Sequence, residues 1–200
     1  TQIKLLRNMQ EWKTKRKTMR HYDQLTPVYD IQYAEEQNAK IEAALKNAKP
    51  GENELVLDLG CGTGLLFEWV AKSAKLIVGI DISSKILQEA KKRAEQLSNT
   101  AILRADADHT PFQNQTFNYV FAVTLLQNMP NPMKTLQEIK RVSNAQSTII
   151  VTGLKKKFSQ EHFISLLNKS ELNIFTLKTN PQLKGYIAIC HWGLRRRENA

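Results

Sequence analysis

The segment LDLGCGTG, residues 57–64, carries the strongest chemical signal in the chain. Gly60, Gly62 and Gly64 lie between an apolar run and an amphipathic one, and glycines so placed allow positive φ and close approach of backbone to a ligand. The following LLFEWVAKSA reads as a helix whose first N–H groups point at whatever occupies the loop. Asp58 precedes the glycines, and Asp81 follows 21 residues after Gly60, at the end of KLIVGID. A carboxylate at the tip of a second strand accepts hydrogen bonds from both hydroxyls of a ribose. Taken alone, Asp81 would more often be the N-cap of the next helix; the acid and the glycine loop together point to a nucleoside-containing cofactor. In the dinucleotide pattern G-x-G-x-x-G the third glycine would fall at Leu65, which argues against NAD.

These residues need a parallel sheet beneath them. EEQNAKIEAALKNAK, residues 35–49, brings Ala39, Ile41, Ala44, Leu45 and Ala48 to one face of a helix ended by Pro50 and Gly51. LVLDLG and KLIVGID are short apolar strands, and SSKILQEAKKRAEQL is a helix capped by Ser83 or Ser84. AILRAD and FNYVFAV are the next strands, MKTLQEIKRVS a helix, STIIVTG a fifth strand and SQEHFISLLNKS a helix. NIFTLKT and GYIAICHW, joined by the turn-rich NPQLKG, read as an antiparallel pair at the sheet's edge. Strands alternating with helices predict an α/β fold, Rossmann-like and doubly wound, with helices on both faces of a mostly parallel sheet. Residues 21–193 form one domain, flanked by a basic arm or helix over 1–20 and a basic tail over 194–200.

Hydrophobic residues at 42% and charged ones at 24% of 200 residues describe an ordinary globular chain. The net charge of +10 is unevenly spread: residues 1–20 contribute +6, residues 191–200 contribute +2, and the rest of the chain +2. The arm suits a polyanion through counterion release, or is a solvated face. Its Ile3, Leu6 and Met9 give a partial helical stripe, so it reads as a projecting or surface-lying helix, in part disordered. No apolar run reaches the roughly 20 residues that span a bilayer, and residues 1–20 lack the apolar core of a secretory signal. The expected location is cytoplasmic, with no membrane partner. Two cysteines, Cys61 and Cys190, build neither a disulfide framework nor a four-cysteine zinc site, and no metal ligands are assigned.

The set LDLGCGTG, GIDIS, ADADHTPF and FNYVFAVTLLQNMPNP resembles the class I S-adenosylmethionine-dependent methyltransferases, in particular the methyltransferase type 11 branch that includes quinone-biosynthesis methyltransferases. The resemblance runs from about Tyr22 to Trp192. It implies a seven-stranded sheet, six strands parallel and the last antiparallel, with S-adenosylmethionine across the carboxyl ends of the first strands. By position it implies that the backbone at Gly60, Gly62 and Gly64 meets the methionine part, with Asp58 near its amino group. Asp81 would hold the ribose, Ile82 would lie against the adenine, Asp106 would receive the adenine amino group, and Ala107 would give a backbone contact. Thr124 would line the methionine end. HYDQLTPVYD offers Tyr22 and Tyr29 as lid residues, or as aromatic packing of a helix on the sheet.

The chain departs from this pattern at three places. Asn118 stands where an Asp is common, at a structural position. Gln127 and Asn128 replace paired histidines after the fourth strand, and NAQS replaces a Gly-Gly turn before the fifth. Because a sulfonium methyl is already activated, in-line placement suffices and no catalytic side chain is assigned. Gln127 and Asn128 are the substrate-orienting candidates; His109 is the only histidine in the motif segments, with His21, His162 and His191 elsewhere. Cys61 sits in the loop, away from where a cysteine nucleophile would be needed. With the basic arm and Lys155, Lys156 and Lys157 on one rim, the leading expectation is methylation of RNA, either tRNA or rRNA. The alternatives are a small-molecule acceptor such as a quinone precursor and a catalytically silent methyltransferase-fold binding subunit. An activating protein partner is a further expectation.

Overall fold

The computed structural model describes residues 2–193; the expected basic tail lies outside the described residues. In chain order the elements are α1 (Gln2–Leu25), a 3-10 turn (Thr26–Val28), α2 (Tyr29–Leu45), β1 (Leu55–Leu59), α3 (Phe67–Val70), β2 (Leu76–Asp81) and α4 (Ser84–Ala94). They continue with β3 (Thr100–Arg104), β4 (Phe117–Ala122), a 3-10 turn (Leu126–Asn128), α5 (Pro132–Val142), β5 (Ser143–Leu154), α6 (Gln160–Lys169), β6 (Asn173–Lys178) and β7 (Gly185–His191). The seven strands run in the order β3-β2-β1-β4-β5-β7-β6. β7 is antiparallel to both of its neighbours, and the pairs from β3 through β5 are parallel. The expected antiparallel pair is present, but β7 is inserted between β5 and β6 and only β6 lies at the edge.

Period-two patterning divides the strand side chains between two cores. Leu57, Leu59, Val120, Ala122, Ile149 and Val151 pack with α5 and α6 through Leu136, Ile139, Phe163 and Leu167. Val56, Ile77, Phe121, Ile150 and Ile187 pack on the other face with Ile41, Ala44, Phe67, Leu87 and Ala90 of α2, α3 and α4. Ser83 caps α4 by accepting from Ile86 N, and Asn131 caps α5 by accepting from Lys134 N. The sequence order reverses between β1 and β4, so the crevice beyond their carboxyl ends is the topological switch point at which such sheets bind ligands.

Of four expectations, three change on folding and one is kept. The helix after the glycine loop is only four residues long, because Cys61, Gly64 and Leu66 are spent on successive i→i+3 turns; the loop, not a helix N-terminus, faces the crevice. NAQS forms a bulge: β4 and β5 pair Phe117 with Ser143 and then Tyr119 with Thr148, and none of these four residues takes positive φ. That explains why a glycine turn is dispensable there. Asn118 does the structural work expected of its position, Oδ1 accepting from Leu55 N at 2.8 Å. Finally, α1 is continuous from Gln2 to Leu25 with no break at residue 20, and of the two expected dispositions it lies on the surface, its inner face over the crevice.

Candidate active site

β1 ends on Asp58 and Leu59, and the chain turns away through Gly60 at φ +76° and Gly62 at φ +56°. Gly60 N and Cys61 N both donate to Ile80 O at 2.9 Å, which ties the loop to the end of β2. Asp81, the last residue of β2, accepts from Gly62 N (3.1 Å) on one oxygen and from Ser83 N (2.9 Å) on the other. Its carboxyl is pushed up by burial, and the N–H donors of Ser83, Gly62 and Ile82 oppose that shift. From outside, Asp30 holds the loop by accepting from Thr63 Oγ1 (2.6 Å) and Arg93 Nη2 (2.6 Å), while Arg93 Nη1 donates to Thr63 O (2.8 Å).

A cavity with about 710 Å³ of empty space, its mouth included, lies above these groups. Gly60, Gly62, Asp81, Ile82, Asp106, Ala107, Thr124, Asn128, Tyr22 and Tyr29 all line it. A smaller cavity shares Tyr29, Gly60 and Gly62 with it and is lined by Asp58 and Gln37. A Cβ built on Gly62 would meet only ordinary van der Waals neighbours, Tyr29 Oη at 3.8 Å and Ile86 Cδ1 at 3.9 Å, and this glycine lines both cavities. Gly64 is different. Its φ is +81° and a Cβ there would fall 2.4 Å from the Phe67 ring, so it is needed for packing under the loop and does not line the main cavity.

Of the proposed substrate pair, Asn128 is at the cavity and Gln127 is not. Asn128 Nδ2 donates to Tyr22 Oη (2.8 Å) and Thr124 O (3.0 Å). Gln127 Nε2 donates to Thr124 O (2.9 Å), which turns its side chain back onto the backbone. Thr124 is the hub of this corner. It is a β-branched residue at φ +62°, its N–H donates to Thr152 Oγ1 (2.7 Å), and its hydroxyl donates to Gln37 Oε1 (2.7 Å) and accepts from Lys40 Nζ (3.2 Å). A strained threonine held by this many bonds is a built feature of a site.

The inner face of α1 closes the cavity with Lys15, Thr18 and Tyr22. Lys15 Nζ bonds both oxygens of Asp106 (2.7 and 2.8 Å) and lies 2.5 Å from Asp108 Oδ2. The Lys15 side chain is 7% exposed, Asp106 19% and Asp108 0%. Asp106, expected to meet an adenine amino group, is therefore occupied by an internal cation. Asp23, which accepts from Ser83 Oγ, and Glu11, 3.8 Å from Lys134, fix the same helix at two further points. Sequence reasoning missed Lys15 because it is one of seven basic residues in the arm and its partners lie more than 90 positions away.

The titratable groups define what the crevice can do. Asp58 is pushed up to about 8 by burial and by the charge of Asp81. Burial, with the charges of Asp58 and Asp81, holds the Cys61 thiol far above its usual range, so it is no nucleophile at neutral pH. Burial also raises Tyr22 and Tyr29, whose rings meet edge to face at 5.8 Å, so both remain phenols. His109 is exposed, and no cluster of metal-ligating side chains occurs among the described residues. Nor, among them, is any helix long and apolar enough to cross a membrane.

A family described as methyltransferase domain matches residues 57–151, the stretch from β1 to the middle of β5. The chain is 28% identical over 144 residues to a malonyl-[acyl-carrier protein] O-methyltransferase of Marinomonas, a match covering 71% of this chain and 53% of that protein. It is 34% identical over 112 residues to a demethylmenaquinone methyltransferase of Bacillus cereus, covering 53% of this chain and 46% of the relative. The chain thus spans about half the length of the curated relatives it matches. Among solved structures, a Haloferax volcanii methyltransferase in complex with the Trm112 activator aligns with a TM-score of 0.77 at 14% identity, over 86% of this chain and 98% of that one. The match bears out the resemblance to S-adenosylmethionine-dependent methyltransferases and the seven-stranded Rossmann-like fold.

Proposed function

We propose that this chain, which resembles the S-adenosylmethionine-dependent methyltransferases of the type 11 branch in sequence and fold, is itself such an enzyme and transfers a methyl group to a small acceptor. The observation that carries the proposal is the junction of β1 and β2, where Asp81 draws Gly62 N onto its carboxylate and both residues line the cavity. The residues fit the cofactor. The two hydrogen bonds that Asp81 already accepts leave lone pairs for vicinal ribose hydroxyls, since an ionised carboxylate has about four acceptor sites. Ile82, Ile86 and Ala107 supply an apolar slot for a flat base, and Asp58 in the smaller cavity supplies an acid for an ammonium group. S-adenosylmethionine bound there supplies a sulfonium-activated methyl group.

What remains for the protein is orientation and exclusion of water. Asn128 and Tyr22 sit across the cavity from the loop, and the bond between them leaves the Tyr22 hydroxyl hydrogen free to be donated to an acceptor. Thr124, pinned by Gln37, Lys40 and Thr152, fixes the carbonyl that aims Asn128. Lys15, Thr18 and Tyr22 form a roof over the cavity, and a roofed cavity suits a small acceptor. The relatives with names of this kind are methyltransferases of demethylmenaquinone, of ubiquinone biosynthesis and of malonyl-[acyl-carrier protein]. RNA is the second reading, favoured by the exposed Lys13, Arg16, Lys17 and Arg20 on the outer side of α1. An activating protein is supported by the Haloferax neighbour, which is itself a complex with an activator.

Transfer of radiolabelled methyl from S-adenosylmethionine to total RNA, beside a protein-free extract of small metabolites and lipids, tests the reading. Label in the extract is expected. Label only in RNA would overturn the small acceptor, and tight cofactor binding with no transfer to either would make the chain a silent binding subunit.

A further inference from the structure

The outer side of α1 takes no part in the site. With 3.6 residues per turn, Leu6 and Met9 fall on the side of the helix away from Lys15, Thr18 and Tyr22, and Leu5 and Trp12 lie on its flank, the Trp12 ring centroid 5.9 Å from Lys15 Nζ. They are exposed to 61%, 59%, 50% and 48% of their surface. Lys13, Arg16, Lys17 and Arg20 continue the same outward side toward the C-terminal end of the helix, and all four are exposed. Among the described side chains the face is therefore apolar from Leu5 to Trp12 and cationic from Lys13 to Arg20.

We infer that this outer face of α1 is a docking surface for an anionic lipid bilayer. A helix tilted so that its N-terminal turns reach the acyl boundary buries Leu5, Leu6, Met9 and Trp12 there, while Lys13, Arg16, Lys17 and Arg20 further along the same side meet headgroup phosphates. RNA would satisfy the four cations but leave the four apolar side chains in water, and Trp12 is the one aromatic platform among them. A second copy of the chain would bring two cationic blocks together. The surface stands on its own observations. That the acceptor is drawn from the bilayer rests in addition on the methyltransferase reading, because the inner side of the same helix roofs the cavity.

The test is flotation of the full chain with phosphatidylcholine vesicles with and without 30% phosphatidylglycerol, set beside binding to a 20-nucleotide polyuridine and sedimentation for self-association. The expected result is at least tenfold stronger partition onto the anionic vesicles, reduced tenfold or more both by Leu6→Glu with Met9→Glu and by Lys13→Glu with Lys17→Glu. None of the four lines the cavity, so circular dichroism of each variant reports on folding and S-adenosylmethionine titration reports separately on the cofactor reading. No partition onto anionic vesicles, an effect of the charge pair without the apolar pair, or self-association lost with Leu6→Glu and Met9→Glu would each overturn the inference. Polyuridine binding in the absence of vesicle binding would assign the face to RNA instead.

Discussion

Replacing Lys15 by Met removes the one cation that faces Asp106 and Asp108 among the described residues while keeping most of the side-chain volume. Asp108 has no exposed side-chain surface, and its other bond, from Thr135 Oγ1 (2.5 Å), cannot neutralise it. Removing one partner of a buried ion pair costs about 3–5 kcal/mol, because the remaining charge stays desolvated. For a chain of this size, at roughly 2–4 °C per kcal/mol, full expression of that cost would lower the thermal midpoint by roughly 6–20 °C. The chain has a cheaper escape: α1 can lift and let water reach Asp108. Amide hydrogen exchange by mass spectrometry separates the two, since lifting raises exchange in α1 and leaves the sheet protected. Lys15→Arg should retain most of the protection. Lys15→Met combined with Asp108→Asn should recover more than half of what Lys15→Met loses, because the stranded charge is gone. Unchanged α1 exchange and a stability within about 0.5 kcal/mol of wild type in Lys15→Met would refute this role of Lys15.

Asp58, raised to about 8, stabilises the cofactor-free protein most at acid pH. That contribution is fully present below the ordinary carboxylate range and is lost as pH rises toward 8, with a slope of about 1.4 kcal/mol per unit. Urea midpoints of wild type and Asp58→Asn should therefore diverge above pH 5, with Asp58→Asn the more stable. If an ammonium group binds there, titration at pH 7 in buffers of different ionisation enthalpy should register proton release in wild type and none in Asp58→Asn. Gly62→Ala and Gly64→Ala should separate binding from folding. The left-handed backbone costs each about 1–2 kcal/mol, but only Gly64→Ala also forces the Phe67 ring, for about 1–3 kcal/mol more. Gly62→Ala should fold and lose cofactor affinity, which thermal melts with and without S-adenosylmethionine would resolve. Asn128→Ala should slow methyl transfer at least tenfold with cofactor affinity within about twofold, since its bonds run to Tyr22 and Thr124; an equal loss of both would move Asn128 to the cofactor side.

The parts of the site legible in the sequence are those whose residue type is dictated by backbone geometry. Gly60 and Gly62 are needed because φ is positive beside a cavity, and Asp81 can be read because the end of a strand fixes where a side chain points. Gly64 looks the same in sequence, yet its requirement comes from Phe67, a contact no spacing reveals. Gln127 and Asn128 are neighbours in a 3-10 turn, and only the second is aimed at the cavity; with no period to arbitrate over three residues, composition alone cannot choose between them. The fold was legible strand by strand, but the insertion of β7 between β5 and β6 depends on pairing partners more than 30 positions apart. The arm was the least legible element. Its charge count was correct, but the total concealed one lysine committed to two acids and an outer face that is half apolar.

In the proposed enzyme the edge formed by β1 and β2 holds S-adenosylmethionine through Asp81 and the Gly60–Gly62 turn. Isothermal titration of S-adenosylmethionine into wild type and Asp81→Ala, with circular dichroism to establish that both are folded, tests it directly. Saturable one-to-one binding is expected of wild type and at least a hundredfold weaker binding of Asp81→Ala, roughly 2.7 kcal/mol lost with the ribose contacts. A folded wild-type chain that does not bind, or an Asp81→Ala variant that binds as tightly as wild type, would contradict that assignment.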